Sequence, residues 1–240
     1  MPALQPTILA TSGGYRTPEF GDREFGPLVH YAVELSGTTR KPKVCQVGTA
    51  AGDQRHQNAA MAEAGYKAGF DLVNLNLFAE PTFQHIEDVL LDQDVIWVHG
   101  GSVVNLLAVW RAHGLPAMLH RAWQHGVVLA GISAGSICWY MGGPTDSFGP
   151  PLRNITNALG FLPYGSGVHY DSEEDRRPLV HQLVARGELP ETHCTDDGAG
   201  LVYFGTELRE AVTERPGARG YIVRRDGDVA SEEALPTREI

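Results

Sequence analysis

The sequence predicts an α/β fold of three layers, with helices on both faces of a doubly wound, mostly parallel sheet. Three observations predict it. Short apolar runs alternate along the chain with longer helical patterns. The runs are continuous rather than alternating, as in strands buried on both faces. Two of them end in Gly-Gly pairs and a third in Gly-Ile-Ser-Ala-Gly, which is turn chemistry suited to the edge of such a sheet where ligands bind.

The elements follow in order. A strand is expected over 6–11 (PTILAT), closing on Gly13-Gly14. A helix over 27–35 carries Leu28, Tyr31, Ala32 and Leu35 on one face. A strand over 43–48, an Ala-rich helix over 54–69 and a strand over 71–77 come next. A helix over 85–92 leads into a strand over 94–99, which ends at Gly100-Gly101. Helical patterns at 105–113 and 116–125 precede the strand at 126–132 (GVVLAGI). Residues 141–167, rich in Gly and Pro, read as a long loop, and loops of that length are usually functional or disordered. A helix over 177–186 and strands near 200–204 and 220–225 complete the core elements. The polar tail, about 226–240, carries little core. One domain over 1–240 is expected.

Composition narrows the function classes. The chain has 240 residues, 42% of them hydrophobic, and a formal net charge of −10. An acidic chain repels phosphate backbones and anionic lipid, so nucleic acid and membrane surfaces are not expected partners. Cys45, Cys138 and Cys194 form no CxxC spacing, which argues against a disulfide framework or a zinc site. No metal or cofactor is expected. The N-terminus has no basic segment before an apolar run, and no run approaches the roughly 20 residues a membrane-spanning helix needs. A reducing, cytoplasmic location is expected.

Gly131-Ile132-Ser133-Ala134-Gly135 lies after a strand and before a helix, the setting of a nucleophile elbow. Small neighbours let the backbone bend and the substrate approach. Ser133 then stands at a helix start, where free N–H groups favour developing negative charge. The Ala134 N–H faces the position of an oxyanion. The alternative is a serine that merely caps the helix. Cys138, inside the helix, is the rival nucleophile.

A serine needs a base and a group that orients it. Among ten histidines, His169 stands just after the long loop. His99 ends a strand beside Gly100, and His193 flanks a late strand. Asp146, within the loop between Ser133 and His169, is a candidate acid, although a turn-capping aspartate is the reading its composition favours; Asp171, Asp196 and Asp197 are competitors. Gly100-Gly101-Ser102 offers backbone N–H groups to a carbonyl oxygen, or is simply a tight turn.

At these residues the chain resembles the dipeptidase E and cyanophycinase group of serine peptidases. The segment 131–139 is similar to that family's nucleophile segment, and 99–107 to its Gly-Gly-Asn turn. The stretch 163–177, around His169-Tyr170-Asp171-Ser172, resembles its histidine segment, and 196–201 its late aspartate-glycine strand. The resemblance covers roughly 6–205. It implies a class I glutamine amidotransferase-like (flavodoxin-like) fold with serine in place of cysteine, and cleavage of short peptides after an aspartyl residue. By carry-over, Ser133 is the nucleophile, His169 the base, and Gly101 with Ala134 the oxyanion donors. Asp146 is the nearest match to the acid. Gly100 and Ser102 face substrate, although Ser102 replaces the usual asparagine. Arg176 and Arg177, or Arg153 in the loop, are candidates for the cation that a substrate carboxylate needs, the alternative for the pair being a solvated start of a helix. A short peptide is the expected partner and a homodimer the expected assembly.

Other readings share some features. A cyanophycinase-type β-aspartyl peptidase uses the same segments. An α/β-hydrolase esterase shares the elbow and the order Ser, Asp, His, but places its acid and histidine on later strands rather than within 133–169. A binding protein with a vestigial site is the non-enzymatic alternative.

Overall fold

The computed structural model describes residues 3–20 and 23–240. The first half alternates strand and helix as the apolar runs imply. β1 (Thr7–Thr11) is followed by a small hairpin of β2 (Tyr15–Arg16) and β3 (Glu24–Phe25). α1 (Pro27–Ser36) starts on a proline, whose fixed φ suits a first helical turn. It stops at Gly37, where φ is 67°. β4 (Lys43–Val47), α2 (Arg55–Lys67), β5 (Asp71–Leu75), α3 (Ile86–Leu91) and β6 (Val95–Val98) continue the pattern. α4 (Val103–Ala112) is capped by Ser102, whose hydroxyl accepts the Asn105 N–H at 3.2 Å. α5 (Leu115–Gln124), β7 (Val128–Ile132) and the short α6 (Ala134–Ile137) follow.

The second half departs from the expectations at both Gly-rich and polar segments. The stretch read as a long loop holds three short strands, β8 (Gly143–Thr145), β9 (Arg153–Ile155) and β10 (Gly165–Gly167). After α7 (Arg176–Ala185) come β11 (Thr192–Thr195), β12 (Ala199–Phe204), β13 (Glu207–Thr213) and β14 (Gly220–Asp226). The polar tail is also ordered into strands. β15 (Val229–Ala234) pairs antiparallel with β14, and β16 (Thr237–Glu239) pairs parallel with β13. Backbone ladders and charged cross-strand contacts such as Arg224–Glu233 (2.7 Å) hold these strands, so no apolar pattern marks them.

The main sheet has eight strands in the order β16-β13-β12-β1-β7-β6-β4-β5. The run β1-β7-β6-β4-β5 is parallel throughout, and β12 lies antiparallel on β1. Every residue of β1 is buried because both faces are covered. Leu9, Trp97 and Ala130 face α1 and α2. Ile8, Ala10, Ile96 and Val98 face the helices from α3 to α6, with Trp110 and Trp139 between. That double burial is what wrote continuous apolar runs into the sequence.

A second sheet, β10-β11-β14-β15, packs α7 over Tyr170, Cys194 and Val223. Its β10 and β11 run parallel, with Gly167 opposite Cys194. Both strands therefore end side by side, next to the carboxyl end of β1. No helix among the described residues is long and apolar enough to cross a membrane.

Candidate active site

Ser133 sits on a strained turn between β7 and α6, with φ 57° and ψ −118°. A residue other than glycine in this region carries about 1–3 kcal/mol of strain, sustained only by the surrounding structure. Here the structure is close-packed. A Cβ on Gly135 would lie 2.2 Å from the Val98 carbonyl oxygen, and one on Gly131 would lie 2.4 Å from the Gly135 carbonyl oxygen. The Ser133 N–H donates to the Thr11 carbonyl at 3.1 Å, which fastens the turn to the end of β1. Ser136 and Ile137 N–H groups return to the Ser133 carbonyl. The first-turn N–H groups of Ala134 and Gly135 have no intrahelical acceptor. Gly135→Ala is expected to destabilise the fold by about 3 kcal/mol, the upper end of overpacking costs, measured by urea unfolding.

Gly100 approaches Ser133 closely. A Cβ there would stand 3.1 Å from the Ser133 Cβ. Gly101 has φ +138°, and its own Cβ would fall 2.3 Å from the Ala50 carbonyl oxygen, so only glycine fits. The Ala50 oxygen takes the Ser102 N–H at 2.9 Å. The Gly101 N–H has no acceptor among the described residues. Ser102, expected to face substrate, spends its hydroxyl on the α4 cap.

The histidine expected as base comes from the other sheet. His169 follows β10 and has φ 51°. Its N–H donates to the Ser12 Oγ at 3.0 Å, and the next N–H, of Tyr170, donates to the Thr195 carbonyl at 3.1 Å. Ser12 in turn donates to the Thr195 carbonyl at 3.2 Å. Consecutive residues Thr11 and Ser12 at the end of β1 thus anchor the Ser133 turn on one side and His169 on the other.

The carboxylate beside His169 is that of Asp197, not of Asp146. His169 Nδ1 lies 2.5 Å from an Asp197 carboxylate oxygen, and this contact holds the Asp197 carboxyl below its usual range. Asp146 stands on the exposed turn between β8 and β9. Its carboxylate has no hydrogen bond or ion pair with a described residue. The reason is topological. Parallel pairing of β10 with β11 sets the residues after each strand beside one another, which brings Asp197 to His169.

The other candidates are placed as plainly. Cys138 is fully buried, and burial pushes its thiol far up. Its Sγ donates to the Gly135 carbonyl at 3.3 Å. His99 bonds the Gly100 carbonyl through Nδ1 at 3.0 Å, and burial lowers its pKa. His193 stacks against the Tyr164 and Tyr203 rings. Arg176 is buried and donates to the Pro144 carbonyl and Glu173. Arg177 forks onto Glu232 and lies over the Tyr170 and Tyr221 rings. Both cations are committed to internal partners. Arg153, with its guanidinium 5.2 Å from the Phe148 ring centroid, has no ion pair with a described residue.

Sequence reasoning overlooked Ser12 and Thr195. The signal was slight: hydroxyl residues at strand ends, directly before Gly-Gly and Asp-Asp-Gly turns.

Comparison with known proteins gives the family and the fold. The profile of peptidase family S51 matches residues 8–211. The uncharacterized peptidase YgaJ of Bacillus subtilis (strain 168) is 39% identical over 198 residues, 82% of this chain and 85% of that protein. Two solved structures share the fold. A peptidase E candidate from Listeria monocytogenes EGD-e superposes with a TM-score of 0.62 at 18% identity, covering 85% of this chain and 97% of that one. A peptidase from an acI-B1 Actinobacterium gives 0.66 at 16% identity, covering 98% and 96%. The flavodoxin-like expectation therefore holds, and the α/β-hydrolase alternative gives way. An elbow serine on a mostly parallel sheet, matched by this profile over most of its length, places the chain in peptidase family S51 and makes it a peptidase.

Proposed function

We propose that the protein is a serine peptidase that hydrolyses short peptides after an aspartyl residue through an acyl-enzyme on Ser133. The observation that carries the reading is that the adjacent residues Thr11 and Ser12, at the end of β1, hold the strained serine elbow on one side and the backbone of the Asp197-paired His169 on the other. Ser133 Oγ attacks the scissile carbonyl carbon while His169 Nε2 takes the hydroxyl proton. Asp197 stabilises the imidazolium through Nδ1–H. The carbonyl oxygen becomes an oxyanion that accepts hydrogen bonds from the Gly101 and Ala134 N–H groups. His169 then gives its proton to the leaving amine as the C–N bond breaks. Water, deprotonated by His169, attacks the ester and releases the free acid.

The aspartyl preference rests on the family resemblance and needs a cation. With Arg176 and Arg177 engaged elsewhere, Arg153 is the side chain assigned to the substrate carboxylate. Its hairpin reaches the start of α4, where the Ser147 Oγ lies 3.5 Å from the Val104 N, one turn from Gly101. A cytoplasmic setting suits an enzyme of this kind.

Two measurements test the reading together. A fluorophosphonate probe is expected to label the protein at Ser133. A screen of Asp-X, β-Asp-X, Asn-X and non-aspartyl dipeptides is expected to give turnover on Asp-X and little on Asn-X. No label at Ser133 would sink the serine mechanism. Equal turnover of Asn-X and Asp-X would sink the aspartyl assignment alone.

A further inference from the structure

We propose that Asp171 and Arg215 form a clamp that aims the Asp197 carboxylate at His169, acting as positioning residues for the base; this rests on the reading of Asp197 as the acid. Asp197 belongs to a turn before β12, and its side chain is 40% exposed. The His169 bond and a hydrogen bond from the Ser172 side chain hold the carboxylate directly; with little packing beside them, its direction depends also on the backbone that carries it. That backbone is gripped on both sides. The Asp197 N–H donates to Asp171 Oδ1 at 2.8 Å. The Asp197 carbonyl accepts from Arg215 Nε at 2.8 Å. Arg215 Nη2 closes the ring by donating to Asp171 Oδ2.

Three segments meet in this ring. Asp171 lies two residues after the base, and Arg215 lies just after β13. The ring therefore ties the acid to the segment that carries His169 as well as to the main sheet. The planar guanidinium suits the task, because its fixed fork reaches two acceptors at once while an ammonium acts as a point charge. As a source of stability the ring is weak, since Arg215 is half exposed and exposed ion pairs contribute little. The geometry assigns it to aim rather than to folding.

The test uses the full chain and the variants Arg215→Ala, Asp171→Asn and their double. In wild type, the far-downfield NMR resonance of the His169 Nδ1 proton is expected, as for a short bond to a carboxylate. In each single variant that resonance is expected to vanish or broaden, with a melting temperature close to wild type. On a cleaved dipeptide kcat is expected to fall roughly 10- to 100-fold, the scale of losing a group that orients a reacting side chain, while KM changes little. The double variant is expected to be no worse than either single, because both open the same ring. Added guanidinium ion is expected to restore part of the kcat of Arg215→Ala. An unchanged resonance and unchanged kcat in both single variants would overturn the clamp. Should Arg215→Ala fail to fold, Asp171→Asn, which keeps the side-chain volume, decides alone. A wild type that shows the resonance but is neither labelled at Ser133 nor active would overturn the hydrolase reading, and the clamp is then judged on the resonance of the variants.

Discussion

Ser133→Ala is expected to lower kcat by about 10⁶-fold, the loss seen when a hydrolase nucleophile of this kind is removed, and to abolish fluorophosphonate labelling. The structure makes the variant a clean test. The Ser133 hydroxyl has no hydrogen bond with a described residue, so its removal leaves no partner unsatisfied. Thermal unfolding of the alanine variant is expected to match wild type. Ser133→Gly is expected to lose the same activity and to gain stability. Glycine accepts a φ of 57° without strain, and relief of about 1 kcal/mol raises the melting temperature by about 2–4 °C for a chain of this size. Activity and stability moving in opposite directions at one residue is the mark of a turn strained for function. Turnover retained by the alanine variant would remove Ser133 from the chemistry.

What the sequence made legible follows from how each feature is encoded. The parallel strands are buried on both faces, so their side chains must be apolar at every position, and residues such as Val95–Val98 spell this out. The elbow was equally plain, because it demands glycine, serine and glycine between a strand and a helix. The second sheet was not. β10 is Gly-Ser-Gly and β11 is Thr-His-Cys-Thr; neither has an apolar period. They are held by ladder bonds and by the close approach that Gly165 and Gly167 allow. The tail strands β15 and β16 were hidden for the same reason. At the site, Arg176 and Arg177 look like a free basic pair beside the histidine until the fold brings Glu232 and the Pro144 carbonyl to them. Such partners are distant in sequence, and only the sheet pairing reveals them.

The choice of acid turns on the same pairing and can be read by two substitutions. Asp197→Asn is expected to lower kcat by about 10⁴-fold, because an amide facing Nδ1 no longer fixes the tautomer that leaves Nε2 free to accept the serine proton. Asp146→Asn is expected to leave kcat and KM at wild-type values, since the Asp146 carboxylate touches no group of the site. Acid unfolding supplies an independent reading. The Asp197 carboxyl is held below its usual range, chiefly by the His169 bond. Its stabilising contribution is therefore complete above the ordinary aspartate value of about 3.9 and is lost as pH falls through the depressed folded value. Removing that ionisation should make stability less steep with pH below about 4, and partial exposure keeps the change small. A loss of turnover confined to Asp146→Asn would show that the exposed hairpin closes over His169 during catalysis and supplies the acid from there.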